Sequence, residues 1–207
     1  MDITADRNAE LSSVKQTLLE LRLKLNGAGE SLKHAILRRA TRDELSLSFA
    51  RQRLWFLHHL QPNNPDYNQP KAFRLRGPLD VTSLQKVLDH LVARHEVLRT
   101  TFTSGERSPV QVIAESRAVE MALIDLRARS NSARDAEAQR LLTETIRRPF
   151  DLSHDLMLRA LLLRLSDQEY VLLLVTHRIA SNVLSSTILW RELATLYEAF
   201  IANRLHR

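Results

Sequence analysis

Between Leu11 and Leu25, apolar residues (Leu11, Val14, Leu18, Leu21, Leu25) return every third or fourth position, the spacing that gathers them on one face of an α-helix, and Asn26-Gly27 is a helix-ending pair. Residues 1–30 therefore read as an N-terminal helical segment, and residues 31–44, basic and without apolar period, as a linker. From Leu45 the pattern tightens into short alternating elements. Residues 51–60 read as a helix and 71–76 as an alternating strand; 80–96 form a clear helix with Leu84, Val87, Leu88, Leu91 and Val92 on one face. Residues 97–102 and 109–114 predict a hairpin around Ser104-Gly105, followed by a strand near 119–124 and a helix over 133–147. The almost uninterrupted apolar runs 157–165 and 170–176, joined by Ser166-Asp167-Gln168, have the character of hairpin strands buried on both faces. A last helix, 183–202, is expected to pack through Leu189, Leu193, Leu196 and Phe200. The class is α/β, a mixed β-sheet flanked by helices.

Composition narrows the chemistry. With 207 residues, 44% of them hydrophobic, the chain can bury a sizeable core. No run approaches the roughly eighteen uncharged apolar residues of a membrane span, and the start MDITADRNAE is polar where a secretory signal is basic and then apolar. The expectation is a soluble, cytoplasmic protein with no membrane partner. The absence of cysteine excludes disulfides, thiolate metal sites and a cysteine nucleophile. Only four glycines are present, and Asn26-Gly27-Ala28-Gly29 lacks the third glycine and the preceding strand of a phosphate-cradling loop. A net charge of +6, densest around Arg38, Arg39, Arg42, Arg51 and Arg53, comes with no aromatic platform or zinc spacing. It predicts a solvated basic face or an acidic protein partner, and no nucleic acid. The histidines His34, His58, His59 and His90 have no carboxylate cluster to complete a metal site and read as surface residues. The serines of 181–186 lack a nucleophile elbow. Neither a metal nor a directly bound cofactor is expected.

The stretch VLLLVTHRIASNVLSS, residues 171–186, predicts a buried strand entering a polar turn and then a helix, with His177 at the strand end, where enzymes place a base. Arg178 stands beside it. With LSFARQRLWFL (47–57), RHEVLRTTF (94–102) and RPFDLSHDLMLRALLLRL (148–165), the segment THRIASNV (176–183) resembles, in order and spacing, successive motifs of the condensation domains of nonribosomal peptide synthetases. The resemblance implies a chloramphenicol acetyltransferase-like fold, in which two such lobes form a V around a substrate tunnel. It covers only the N-terminal lobe, residues 45–207; a C-terminal lobe would be absent, and the chain would be a truncated condensation domain. The helical segment carrying ELSSVKQTLLELRLKL resembles the stretch that often precedes these domains.

The family forms amide bonds between acyl or aminoacyl thioesters carried on the phosphopantetheine arms of carrier proteins, so the implied partners are peptidyl or acyl carrier proteins, other synthetase modules, or the missing lobe. Its active-site motif is HHxxxDG, whose second histidine is assigned to catalysis and whose aspartate pairs with an arginine. Here His177 keeps the first position, while Arg178, Asn182 and Val183 replace the second histidine, the aspartate and the glycine. An imidazole titrates near working pH and can take a proton from the attacking amine; a guanidinium stays protonated and cannot. Loss of a positioned base removes about 10²–10⁴-fold in rate, so the chain is expected to be inactive alone.

The remaining motif residues, Arg53, Arg94, His95, Arg99 and Arg159, are expected to be structural, with Arg53 or Arg159 as the displaced aspartate's partner. His177 itself is expected to be a core histidine bonded to backbone, and Asn182 a helix N-cap. Val183 would crowd a turn that needs glycine's backbone freedom. Trp55 and Phe56 are expected to pack into the core, and the surface around 177–184 to be exposed for want of the second lobe. Three functions follow: an inactive truncated lobe; a binding module like the HRxxxDD branch of the family, which recruits a tailoring oxygenase to a carrier; and half of a split acyltransferase.

Overall fold

The two long apolar runs form the centre of the molecule. In the computed structural model, which describes residues 45–106 and 108–202 and, for Val183 and Leu184, only the backbone, they are β6 (Leu158–Ser166) and β7 (Glu169–His177), antiparallel and joined by a tight turn at Asp167-Gln168. The helix expected over 1–30 and the linker 31–44 lie outside the described residues. Before the central pair come β1 (Leu45–Ser46), α1 (Phe49–Leu60), β2 (Asn68–Arg76), α2 (Val81–Arg94), β3 (Thr100–Ser104), β4 (Pro109–Ile113), β5 (Met121–Asp125) and α3 (Asn131–Arg147); α4 (Val183–Ile201) follows it.

The main sheet has the order β2-β7-β6-β5, with β5 parallel to β6 across the α3 crossover and the other pairs antiparallel, so the sheet is mixed as expected. A smaller sheet, β1-β4-β3, contains the predicted hairpin. Gly105 is required in its turn: a Cβ there would stand 2.6 Å from the Ser108 carbonyl oxygen. The strand expected from Val97 begins later, because Glu96–Arg99 forms a 3-10 turn before β3. β2 begins earlier than its alternation indicates and takes in Pro70, tolerated because β2 is an edge strand and needs no donor on its outer side.

Alternation along the central strands sorts the core into two layers. Leu161, Leu163, Leu173 and Val175 pack towards α1 and α3, through Leu54, Trp55, Leu141 and Ile146. Leu158, Ala160, Leu162, Leu172 and Leu174 pack towards α2 and α4, through Leu88, Leu91, Leu189 and Leu193. Both faces of β6 and β7 are thus covered, which is why their sequences read as continuous apolar runs.

Candidate active site: the turn after β7

His177 is the last residue of β7 and shares the side of Val175, so its ring points into the layer occupied by α1. It is only 2% exposed. Its imidazole meets the rings of His58 on α1 at 5.9 Å, Phe150 at 5.7 Å and Tyr67 at 6.1 Å. Nδ1 accepts the backbone N–H of Ile179 at 3.2 Å, which fixes the neutral tautomer with its proton on Nε2. Burial, reinforced by the nearby His58, lowers the pKa of His177 to about 4. This is the core histidine bonded to backbone that the sequence predicts, and it is a poor proton acceptor at neutral pH.

The turn closes on His177 from the other side. Its carbonyl oxygen accepts the N–H groups of Ala180 at 3.0 Å and Ser181 at 3.2 Å, while Arg178 donates its own N–H to the Tyr67 carbonyl at 2.9 Å. The Arg178 backbone is therefore held while its side chain is exposed. Ile179, Ala180 and Ser181 are buried. The exposed surface expected over 177–184 is thus confined, among the side chains described there, to Arg178 and Asn182, because the turn tucks its apolar residues against the α1 and α3 layer.

Asn182 is the N-cap of α4: its side chain accepts the Ser185 N–H at 2.8 Å, and Ser185 Oγ accepts the Asn182 N–H at 2.7 Å, a reciprocal capping box. Val183 is the first helical residue of α4. A right-handed helical backbone is open to every L-residue, so the expected need for glycine's conformational freedom at this position does not arise.

Of the two arginines considered as aspartate partners, Arg53 stands exposed on α1. Arg159, with a side chain 12% exposed, lies beside the site. It donates to the carbonyl oxygens of Arg148 at 2.8 Å, Pro149 at 3.0 Å and Thr145 at 3.3 Å, and its guanidinium covers the Phe150 ring at 4.2 Å. Asp155 Oδ2 is 3.7 Å away. Burial, with Arg148 adding repulsion and Asp155 opposing it, lowers the Arg159 pKa to about 10. Arg159 thus caps the C-terminal carbonyls of α3. Asn68, paired with His177 across the β2–β7 ladder, donates to the Ile146 and Arg148 carbonyls at 2.7 and 2.9 Å.

The other motif residues stand elsewhere. Arg94 Nε and His95 Nε2 reach Glu192 of α4 at 3.5 and 2.5 Å, tying the end of α2 to α4. Arg99 is buried and donates to the Ala114 carbonyl beyond β4.

His58, read from the sequence as a surface histidine, is buried against His177, and Phe56, read as core, is 57% exposed. Helical spacing held the signal: His58 follows Leu54 and Trp55 by four and three residues on the buried face of α1, and Phe56 does not. Phe150, Tyr67 and Asn68 carried no such mark. Among the described residues no group of three or more His, Asp or Glu could hold a metal ion, and no helix is long and apolar enough to cross a membrane.

Comparison with known proteins agrees with this architecture. Chondramide synthase cmdD of Chondromyces crocatus is 43% identical over 162 residues, covering 78% of this chain and 4% of that protein. Phosphinothricin tripeptide synthetase PhsC of Streptomyces viridochromogenes is 40% identical over 200 residues, covering 96% of this chain and 18% of that protein. Among solved structures, the starter condensation domain of rhizomide synthetase RzmA superposes with a TM-score of 0.72 at 20% identity, covering 78% of this chain and 39% of its own. The first condensation domain of the CDA synthetase gives 0.70 at 22% identity, covering 78% and 40%. The chain thus spans a small part of these synthetases and about two fifths of the solved domains, whose likeness carries the fold. The family described as Condensation domain matches residues 41–205, and with these sequence relatives it shows that the chain belongs to the condensation domain family of nonribosomal peptide synthetases.

Proposed function

We propose that this chain supplies the amino-terminal lobe of a condensation domain and that, with Arg178 in place of the base, it does not itself form amide bonds. The single observation carrying this reading is the division of labour in the turn: the exposed side chain at the catalytic position is a guanidinium, and the one histidine beside it is buried, bonded through Nδ1 and held neutral. His177 cannot substitute for a base at 178, because its ring faces α1 and not the surface. The corresponding reaction joins an acceptor amine to a donor thioester, each on the phosphopantetheine arm of a carrier protein, in the cytoplasm. The carrier proteins and neighbouring synthetase modules are the partners.

The test is single-turnover transfer between loaded carrier proteins, using this chain fused to the C-terminal lobe of a related condensation domain. The parent fusion is expected to show no product above the uncatalysed level, and Arg178→His to raise transfer by about 10²–10⁴-fold. Transfer by the parent fusion at the rate of the Arg178→His form would overturn the reading.

A second reading, a non-catalytic binding module, is favoured by α1. Phe49, 91% exposed, together with Phe56 and Leu60, forms an apolar stripe with Arg53 in its midst. An apolar stripe with a positive charge in its midst suits a carrier protein or tailoring enzyme that presents an acidic, amphipathic helix.

A further inference from the structure

Beneath the β5–α3–β6 crossover lies a cavity of about 850 Å³, within the size range of small-molecule sites. On the α3 side of the sheet its wall is apolar, made by Ala122, Ile124, Leu141 and Leu161, and three arginines, Arg117, Arg148 and Arg159, reach it from the loop before β5, the end of α3 and the start of β6. Three carboxylates, Glu120, Glu144 and Asp155, face these arginines, but two of the carboxylates are already engaged. Glu144 is bonded to Arg140 at 2.8 Å, and Asp155 accepts the Asp151 N–H at 3.0 Å and lies 3.7 Å from Arg159. Glu120 is left as the wall carboxylate with no ion pair among the described residues. Against it stand Arg117, whose Nη2 donates to the His154 carbonyl at 2.6 Å, and Arg148; neither has a carboxylate partner among the described residues. Arg148 also lies close enough to Arg159 for the two positive charges to repel.

We propose that this cavity binds a small organic anion, an apolar body with one carboxylate head, the body against Ala122, Ile124 and Leu141 and the head between Arg148 and Arg117. A carboxylate there relieves the repulsion between Arg148 and Arg159 and gives a planar fork its matching acceptor. The site is distinct from the turn after β7, two strands across the sheet, yet coupled to it: Arg159 on the cavity wall covers Phe150, and Phe150 touches His177. The assignment does not depend on whether the turn can catalyse.

Calorimetric titration of the full chain with 6-phenylhexanoate, and with 6-phenylhexylamine as the charge-reversed control, tests it. The carboxylate is expected to bind, the amine at least about tenfold more weakly, and Arg148→Glu to weaken the carboxylate by about tenfold or more. Because Arg148 is exposed the substitution should not disturb folding, and Arg117→Gln, also exposed, gives an independent variant with a smaller loss. The His177 ring resonances should shift on carboxylate binding. Absence of carboxylate binding, equal binding of the amine, or unchanged affinity in both variants would overturn the proposal.

Discussion

The imidazole of His58 stands edge-on to that of His177, with ring centroids 5.9 Å apart and planes at 88°, so two histidines far apart in sequence share one buried layer. Neither ring can be charged there without loss. Burial lowers the pKa of His58, with His59 adding to the effect and Asp151 opposing it, and lowers that of His177 to about 4.

This predicts acid sensitivity in a defined window. An unfolded chain's imidazole titrates near 6.5, against about 4 for folded His177. Above pH 6.5 both states are neutral and the difference vanishes. As pH falls from 6.5 to 4 the unfolded state takes up a proton that the folded state refuses, so stability is lost across that window and levels off below it. The gap corresponds to about 3 kcal/mol. Urea unfolding at pH 7.5 and 5 should show the loss, and His177→Phe should shrink it; an equal loss in both proteins would assign it to other groups.

Arg159 should matter for stability beyond its charge. Its guanidinium serves three carbonyls and the Phe150 face, so Arg159→Met, which keeps bulk and removes every donor, is expected to cost about 2–3 kcal/mol. Arg159→Lys should recover only part, because one ammonium cannot reproduce the planar fork. Unfolding midpoints of the three proteins decide; a lysine variant as stable as the parent would contradict the argument.

The cap at Asn182 should be read in the stability of α4. Asn182→Ala removes the acceptor for the Ser185 N–H and should cost about 1 kcal/mol, whereas Asn182→Asp should stay within about 0.5 kcal/mol of the parent, since aspartate caps as well. Thermal melting measures both. A large gain from Asn182→Asp would mean that the position still seeks an ion pair, which the engagement of Arg159 with the α3 carbonyls argues against.

The apolar stripe of α1 should make the chain self-associate. Phe56→Ser with Leu60→Ser removes two exposed side chains without touching either core layer, and sedimentation velocity at high concentration should show fewer oligomers with an unchanged far-ultraviolet spectrum. A parent chain that is already monomeric would rule out this surface as the sticky one.

By itself the sequence determined the order and type of the main elements of the lobe, because each carries a local signal. The unbroken apolar runs of β6 and β7, the heptad-like spacing of Leu84, Val87, Leu88 and Leu91 in α2, and the asparagine that precedes α4 all act within a few residues. It also determined that the side chain at position 178 is a guanidinium, which cannot accept a proton in any fold. The tertiary structure alone decided which residues surround His177. His58, Tyr67 and Phe150 reach it from three separate segments, and what brings them together is the parity of β7 and the packing of α1 on the sheet, which no local pattern encodes. The same holds for Arg159. Sequence could only name it as an arginine in need of a partner, and the partner proved to be the carbonyl end of α3, brought within reach by the crossover that joins β5 to β6. A side chain's position within its own element is set locally, but its neighbours are set by how the elements pack.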